Sequence, residues 1–349
     1  MDALPARLPE LLLAWYPAHR RDLPWRRDRE PYHVWLSEIM LQQTRVEAVR
    51  GYYLRFLQEL PTVRALASCP DDRLNKLWEG LGYYSRVRNL KKAANVILQA
   101  HGGVFPREYD AIRALPGIGD YTAGAIASIC FEQPVPAVDG NVLRVVSRVT
   151  ANSAPVTKQS VRRDWAKALA AVYPAGRCGE MTQALMELGA TVCVPNGEPL
   201  CAECPLRQIC SAGAQGTWRQ FPVKEAKKAR REEELTVFFL RCGDRFAVRR
   251  RAETGLLAGL WELPNVPGLR SAQQALALLD EWGLQPQELE KSVEKTHLFT
   301  HVAWKMRCFY VTVREPGGAL SWVGAERFAA DIALPTAFRM FREEPDRDG

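Results

Sequence analysis

Leu115-Pro116-Gly117-Ile118-Gly119-Asp120 is the stretch that decides how the first part of this chain folds. The residues before it, Arg107–Ala114, read as a helix, and Asp120–Ile129 after it read as a second. Between them, two glycines allow backbone angles closed to other residues and let the chain approach a ligand closely. The following helix offers unpaired N–H groups and the positive end of its dipole, an anion site suited to a phosphate. Gly-x-Gly alone also fits an ordinary helical corner. Pro-Gly-Ile-Gly between two helices, followed by an acid, is more specific, and makes Gly117 and Gly119 candidate phosphate contacts.

Outward from this hairpin, the first 211 residues read as helical. Apolar residues recur three and four apart in Val34–Leu57, Leu74–Leu98 and Val161–Val172. Thr62, Asp71 and Asp120 stand where helices should begin. The character changes after Cys210. Residues 212–234 mix glycine, alanine and charge and end in Lys227-Lys228-Ala229-Arg230-Arg231-Glu232-Glu233-Glu234, a linker or exposed helix. Beyond it, Leu235–Arg241, Phe246–Arg250 and Met306–Val313 are rich in β-branched and aromatic residues and read as strands, with a hairpin turn at Gly243-Asp244. Helical patterns intervene at Ser271–Trp282 and Ala325–Ala330. The expected organisation is an all-α domain over 1–211, a linker over 212–234 and an α+β domain over 235–349.

Composition bounds the function. The chain has 349 residues, enough for two cores, with 47% hydrophobic and 25% charged residues, an ordinary globular mix. No stretch is long and apolar enough to span a membrane. The apolar run Leu8–Tyr16 is interrupted by Pro9 and Glu10 and preceded by Asp2, so it does not read as a signal peptide. The expected compartment is a reducing cytoplasm, where nine cysteines argue for metal or buried thiols rather than disulfides. The net charge of +7 is uneven: residues 1–211 carry 26 Lys/Arg against 21 Asp/Glu, and residues 235–349 carry 15 against 15. Lys76, Arg86, Arg88, Lys91 and Lys92 stand against Glu79 alone. Such a basic surface favours a polyanion such as nucleic acid, and equally fits a solvated face.

Cys193-x7-Cys201-x2-Cys204-x5-Cys210 places four thiols within eighteen residues, able to converge on one metal centre. Zinc held by four thiolates is the simplest metal alternative. Cys69, Cys130, Cys178, Cys242 and Cys308 are scattered in apolar or strand contexts and read as core. Two carboxylates draw notice. Glu38 lies in Trp35-Leu36-Ser37-Glu38-Ile39-Met40-Leu41-Gln42-Gln43-Thr44, nearly free of other charge, where an apolar setting raises its pKa. Asp139, in Val138-Asp139-Gly140-Asn141-Val142, stands at a turn into a helix, where backbone N–H groups are expected to keep it ionised. Each alone also fits a bland role, Glu38 as helix surface and Asp139 as an N-cap. Together they are the pair that glycoside hydrolysis needs, one acid protonated near neutral pH and one held as an anion.

The hairpin, the cysteine loop and the two acids, in this order and spacing across residues 1–211, resemble the MutY-type adenine DNA glycosylases of the endonuclease III, or helix-hairpin-helix, superfamily. The resemblance implies an all-α helix-hairpin-helix domain whose loop 193–210 holds one 4Fe–4S cluster through Cys193, Cys201, Cys204 and Cys210. The first gap has seven residues, Val194–Leu200, where the family pattern has six. Glu38 becomes the general acid on adenine N7, Asp139 the stabiliser of the oxocarbenium ion, and Asn141 a residue orienting the site. Tyr121 stands where endonuclease III-type enzymes carry a Schiff-base lysine, which implies a monofunctional glycosylase leaving an abasic site. Leu41, Gln42, Gln43 and Tyr83 can plug the duplex when the base flips out, with Gln43 and Tyr83 as the intercalating residues.

Residues 235–349 resemble the MutT-like, Nudix-fold domain of the same family, through Gly255-Leu256-Leu257-Ala258-Gly259-Leu260-Trp261-Glu262-Leu263-Pro264. The glutamate-rich Nudix box is missing, so recognition rather than hydrolysis is expected. Phe299, Thr300 and His301 match a Phe-Ser-His loop that discriminates oxidised guanine, with threonine in place of serine. The expected partner is double-stranded DNA with an 8-oxoguanine:adenine mispair, with no membrane, bound by a monomer in the cytoplasm at a bacterial nucleoid.

Overall fold

The computed structural model describes residues 3–225 and 229–342. Asp2, Lys227, Lys228 and residues 343–349, to which parts of the sequence reading refer, lie outside the described residues. The chain divides into two compact units, one of residues 1–68 with 88–226, the other of residues 69–87 with 227–349.

The first unit is helical. The spacing that reads as one helix over Val34–Leu57 is two, Pro31–Leu41 and Val46–Glu59, broken at Gln42–Arg45. Thr62 starts the next helix as expected, its hydroxyl accepting from Ala65 N at 3.1 Å. Leu8, Leu12 and Tyr16 of Leu8–His19 meet Val142 and Val146 of Gly140–Thr150, Trp165 and Leu169 of Gln159–Ala170, and Met181, Leu185 and Leu188 of Cys178–Thr191 in one core. Among the described residues no helix is long and apolar enough to cross a membrane.

The hairpin comprises the helices Tyr109–Arg113 and Asp120–Phe131, the first shorter than expected. Arg113 and Asp120 form an ion pair across it, and the Tyr109 hydroxyl also donates to Asp120 at 3.4 Å. Gly117 has φ +77°, and a Cβ there would lie 2.5 Å from Asn89 Cβ, so both backbone angle and space demand glycine. Gly119 departs from the sequence reading. Its φ of −100° is open to any residue, and a Cβ there would meet nothing within 4 Å.

In the second unit, β1 (Arg231–Cys242), β2 (Arg245–Arg250), β3 (Trp261–Glu262), β4 (Asn265–Pro267), β5 (Pro286–Leu298), β6 (Val302–Val313) and β7 (Ser321–Gly324) form a mixed sheet. Its order is β3-β2-β1-β6-β5, with β4 on β1 and β7 on β2. β1 and β6 run parallel in the centre, Val237 opposite Cys308. Successive residues of β1 face opposite sides. Val237 joins Phe338 and Phe341 on one side, while Phe238 and Leu240 join Ala275 and Leu279 on the other. The helix Ala272–Glu281 starts with a capping box between Ser271 and Gln274. The Gly243-Asp244 hairpin and the helix Ala325–Ala330 stand as read, but β1 begins at Arg231, inside the segment read as linker. β5 and the helix Thr336–Arg342 were not expected.

Candidate active site

Pro31–Leu41 carries Glu38 inward. The helix is buried on nearly every face, from Tyr32 to Met40, and Glu38 is 6% exposed. A buried carboxyl needs a partner. Tyr121, on the first turn after the hairpin, donates its hydroxyl to Glu38 Oε2 at 2.6 Å. Burial drives the Glu38 pKa up, the Tyr121 hydrogen bond opposes this, and the charge of Asp139 adds to the rise, so it is pushed up to about 7. Burial and the Glu38 charge hold the phenol far above its ordinary range, so Tyr121 stays a donor.

Asp139 caps Gly140–Thr150, Oδ1 accepting from Val142 N at 2.7 Å and Oδ2 from Asn141 Nδ2 at 2.8 Å. Asn141 is held in turn, its Oδ1 accepting from Arg144 Nη2 at 2.9 Å. Gly189 makes room for it: a Cβ there would lie 2.7 Å from Asn141 Cβ. The sequence reading took the N-cap bonds to govern Asp139. Burial outweighs them and raises its pKa, while those bonds and Arg144 pull it back. Burial thus raises the pKa of both carboxyls above the ordinary carboxylate range.

Glu38, Tyr121, Asp139, Asn141, Leu41, Gln42 and Gln43 line one cavity of about 590 Å³. Gln42 Nε2 reaches Thr122 Oγ1 at 3.4 Å, and exposed Gln43 has φ +58°. Tyr83, in the other unit, is 46% exposed with φ +47°. Left-handed angles are rare outside glycine and collect at functional sites. Thr300 and His301 are exposed in the turn between β5 and β6, and Thr300 Oγ1 lies 3.1 Å from the Tyr83 hydroxyl. Phe299 packs edge-on against His297 and Trp304, supporting that turn.

The sequence reading missed Arg21, Trp25 and Arg26 in the cavity wall. Fully buried Glu187 accepts from Arg21 Nε at 2.7 Å and Arg26 Nη2 at 2.7 Å. Burial raises its pKa, and the two guanidinium groups more than reverse this, leaving it ionised. The order Arg21…Arg26…Glu187 carries no local pattern, so no signal in the sequence could have joined them.

The thiols of Cys193, Cys201, Cys204 and Cys210 line a second pocket, of about 390 Å³, with Arg148 and Trp218. Arg148 Nη1 donates to Cys193 Sγ at 3.2 Å. The seven-residue gap is closed by Leu200 N on Val192 O at 3.0 Å, with Gly197 left-handed within it. Among the described residues no three His, Cys, Asp or Glu side chains gather closely enough to hold a single ion. Of the other cysteines, Cys69, Cys178 and Cys308 are buried, whereas Cys130 and Cys242 are half-buried.

Residues 36–171 match the HhH-GPD superfamily of base excision DNA repair proteins, and residues 236–344 match the NUDIX domain. The adenine DNA glycosylase of Homo sapiens is 38% identical over 403 aligned positions, which cover 95% of this chain and 73% of that one. The chain belongs to the adenine DNA glycosylase family. The enzyme of Buchnera aphidicola subsp. Acyrthosiphon pisum (strain APS) is 32% identical, over 84% of this chain and 83% of its own. A thermostable thymine-DNA glycosylase matches 59% of this chain and 95% of its own at 28% identity with a TM-score of 0.55. Endonuclease III in a non-covalent DNA complex shares the fold of the helical part, at a TM-score of 0.52 and 22% identity over 60% of this chain and 94% of its own. The chain is thus a base excision repair glycosylase, with a helix-hairpin-helix domain followed by a Nudix domain.

The cavity generates a pH test. If Glu38 is the acid that protonates the base, the single-turnover rate should fall as pH rises through about 7. Tyr121→Phe removes a bond that lowers the Glu38 pKa, so the alkaline limb should move to higher pH. An unmoved limb in that variant would separate Glu38 from the observed ionisation.

Proposed function

We propose that this glycosylase hydrolyses the N-glycosidic bond of adenine paired with 8-oxoguanine, and more weakly with guanine, leaving an abasic site without cutting the strand. The observation that carries the chemistry is the Tyr121–Glu38 hydrogen bond beside Asp139. Tyr121 occupies Glu38 Oε2, so the acidic proton resides on Oε1, ready for adenine N7. As the bond to the base breaks, positive charge develops on the sugar. An ionised Asp139, held by Val142 and Asn141 but costly to keep dry, gains most when that cation forms, which favours the transition state over the ground state.

Several features support the finer reading. Among the described residues that line the cavity there is no lysine, and Tyr121 cannot form a Schiff base. Gln43 and Tyr83 fill the duplex on flipping, and Gly117 and Gly119 offer the hairpin backbone to a phosphate. Thr300 and His301 read the oxidised guanine. Cys193, Cys201, Cys204 and Cys210 would hold a 4Fe–4S cluster: the four thiols line one pocket of about 390 Å³, room enough for a polyatomic centre. When bound, such a centre supplies positive charge and fixes the loop. We place the enzyme in the cytoplasm, as a monomer on the bacterial nucleoid.

Two measurements test this. On an 8-oxoguanine:adenine duplex, wild type should give strand breaks only after alkali and little borohydride-trapped complex. Glu38→Gln should lose about 10²-fold or more in base release while still binding the duplex. Breaks without alkali, or near-normal excision by Glu38→Gln, would contradict the mechanism. Protein made and purified without oxygen should carry about four irons per chain. Stoichiometric zinc without iron would overturn the cluster.

A further inference from the structure

Residues 69–87 lie between two stretches of the helical unit, yet they group with residues 227–349. Their one complete helix, Asp71–Leu77, has seven residues, too few to be stable on its own. The turn that follows bends sharply, with Gly80 at φ +101°, Gly82 at +68° and Tyr83 at +47°. A bulky residue keeps a left-handed angle only where its surroundings enforce it.

The turn is stiffened from within. Trp78 Nε1 donates to Gly82 O at 3.0 Å, and Arg86 Nη2 donates to Leu81 O at 2.9 Å and Gly82 O at 3.2 Å. The Arg86 guanidinium lies over both the Trp78 and Tyr83 rings. None of these bonds fixes where the turn sits. That is done one helical turn earlier. Lys76 Nζ donates to Ala329 O at 2.9 Å and Ile332 O at 3.4 Å, carbonyls at and just beyond the end of Ala325–Ala330. Lys76 also pairs with Glu79 Oε2 at 2.7 Å, and Glu79 Oε1 accepts from Leu334 N at 2.9 Å. Asp72 adds an ion pair with Arg250 of β2.

We propose that Lys76 and Glu79 are a positioning pair for recognition of the base opposite adenine: they seat the Tyr83 turn on the Ala329–Leu334 segment, so that Tyr83 arrives beside Thr300. The two side chains are only 19% and 12% exposed, and they bridge three backbone groups at the end of the helix Ala325–Ala330 and just beyond it. An exposed ion pair would hold little, but here loss of either member strands a partner in a largely water-free contact. At the far end the Tyr83 hydroxyl meets Thr300 Oγ1, so the residue that enters the duplex and the residue that reads the guanine edge are set by one clamp. The inference rests on the reading of Tyr83 and Thr300 given above.

The test uses the intact protein and two readouts. Amide hydrogen exchange without DNA reports whether the pair holds the turn. Lys76→Met and Glu79→Met should each speed exchange over residues 78–87 about tenfold or more and leave the Pro31–Leu41 helix unchanged, while Lys76→Arg, which keeps donors and charge, restores protection. Single-turnover excision opposite 8-oxoguanine and opposite guanine, at one fixed salt, reports whether the hold serves recognition. Lys76→Met should lower the ratio of the two rates about fivefold to tenfold, mainly by slowing the 8-oxoguanine duplex, and Lys76→Arg should recover most of it. Should Lys76→Met not fold, Glu79→Gln, which keeps an acceptor for Leu334 but loses the charge, should show the same changes in smaller measure. Unchanged exchange in the disruptive variants overturns the positioning role, whatever Tyr83 does. Faster exchange with an unchanged ratio, while Tyr83→Ala lowers the ratio, overturns the link to recognition. If Tyr83→Ala itself leaves the ratio unchanged, the underlying reading of Tyr83 fails, and the inference falls with it.

Discussion

The Tyr121 hydroxyl on Glu38 Oε2 is the constraint on which the rest of the site depends. A carboxyl on a helix buried all round would be neutral over too wide a pH range to be a useful acid. One in water would be ionised at neutral pH. Burial lifts Glu38 and one short hydrogen bond checks the lift, so its pKa stands near 7, where proton donation is both available and favourable. The hairpin serves this bond directly. Gly117 allows the turn that ends at Gly119, and the next helix presents Tyr121 in its first turn.

The second carboxyl depends on close helix packing. Gly189 of Cys178–Thr191 lets that helix press on Asn141, and Asn141 in turn orients Asp139. Arg144 ties the same asparagine to the Gly189 and Cys193 carbonyls. Glu38 and Asp139 are thus held by different helices and are coupled through charge. Behind the wall of the same cavity, ionised Glu187 holds Arg21 and Arg26 through two ion pairs.

Chemistry was easier to read from the sequence than geometry. Glu38 stood out because a lone charge in an apolar helix is rare, and Asp139 because an N-cap has a local pattern. The breaks at Gln42–Arg45 and Trp78–Tyr84 were hidden, the first because it interrupts the apolar pattern for only four residues, the second because Trp78, Leu81 and Tyr84 keep a helical spacing through it. Yet Gln43 and Tyr83 sit there with left-handed angles, which no apolar pattern signals. β5 escaped notice because it is an edge strand, Glu288, Glu290, Lys291 and Glu294 giving it a solvated, charged face with no apolar alternation. Glu187 and its arginines were out of reach because about 160 residues of chain separate partners that meet only after folding.

The most direct measurement is an infrared titration of the Glu38 carboxyl in the DNA-free protein, assigned by its loss in Glu38→Gln. The account predicts a protonation midpoint near 7, falling in Asp139→Asn because the charge that helps raise it is gone. A midpoint at the ordinary glutamate value of about 4.3, unmoved by Asp139→Asn, would contradict it.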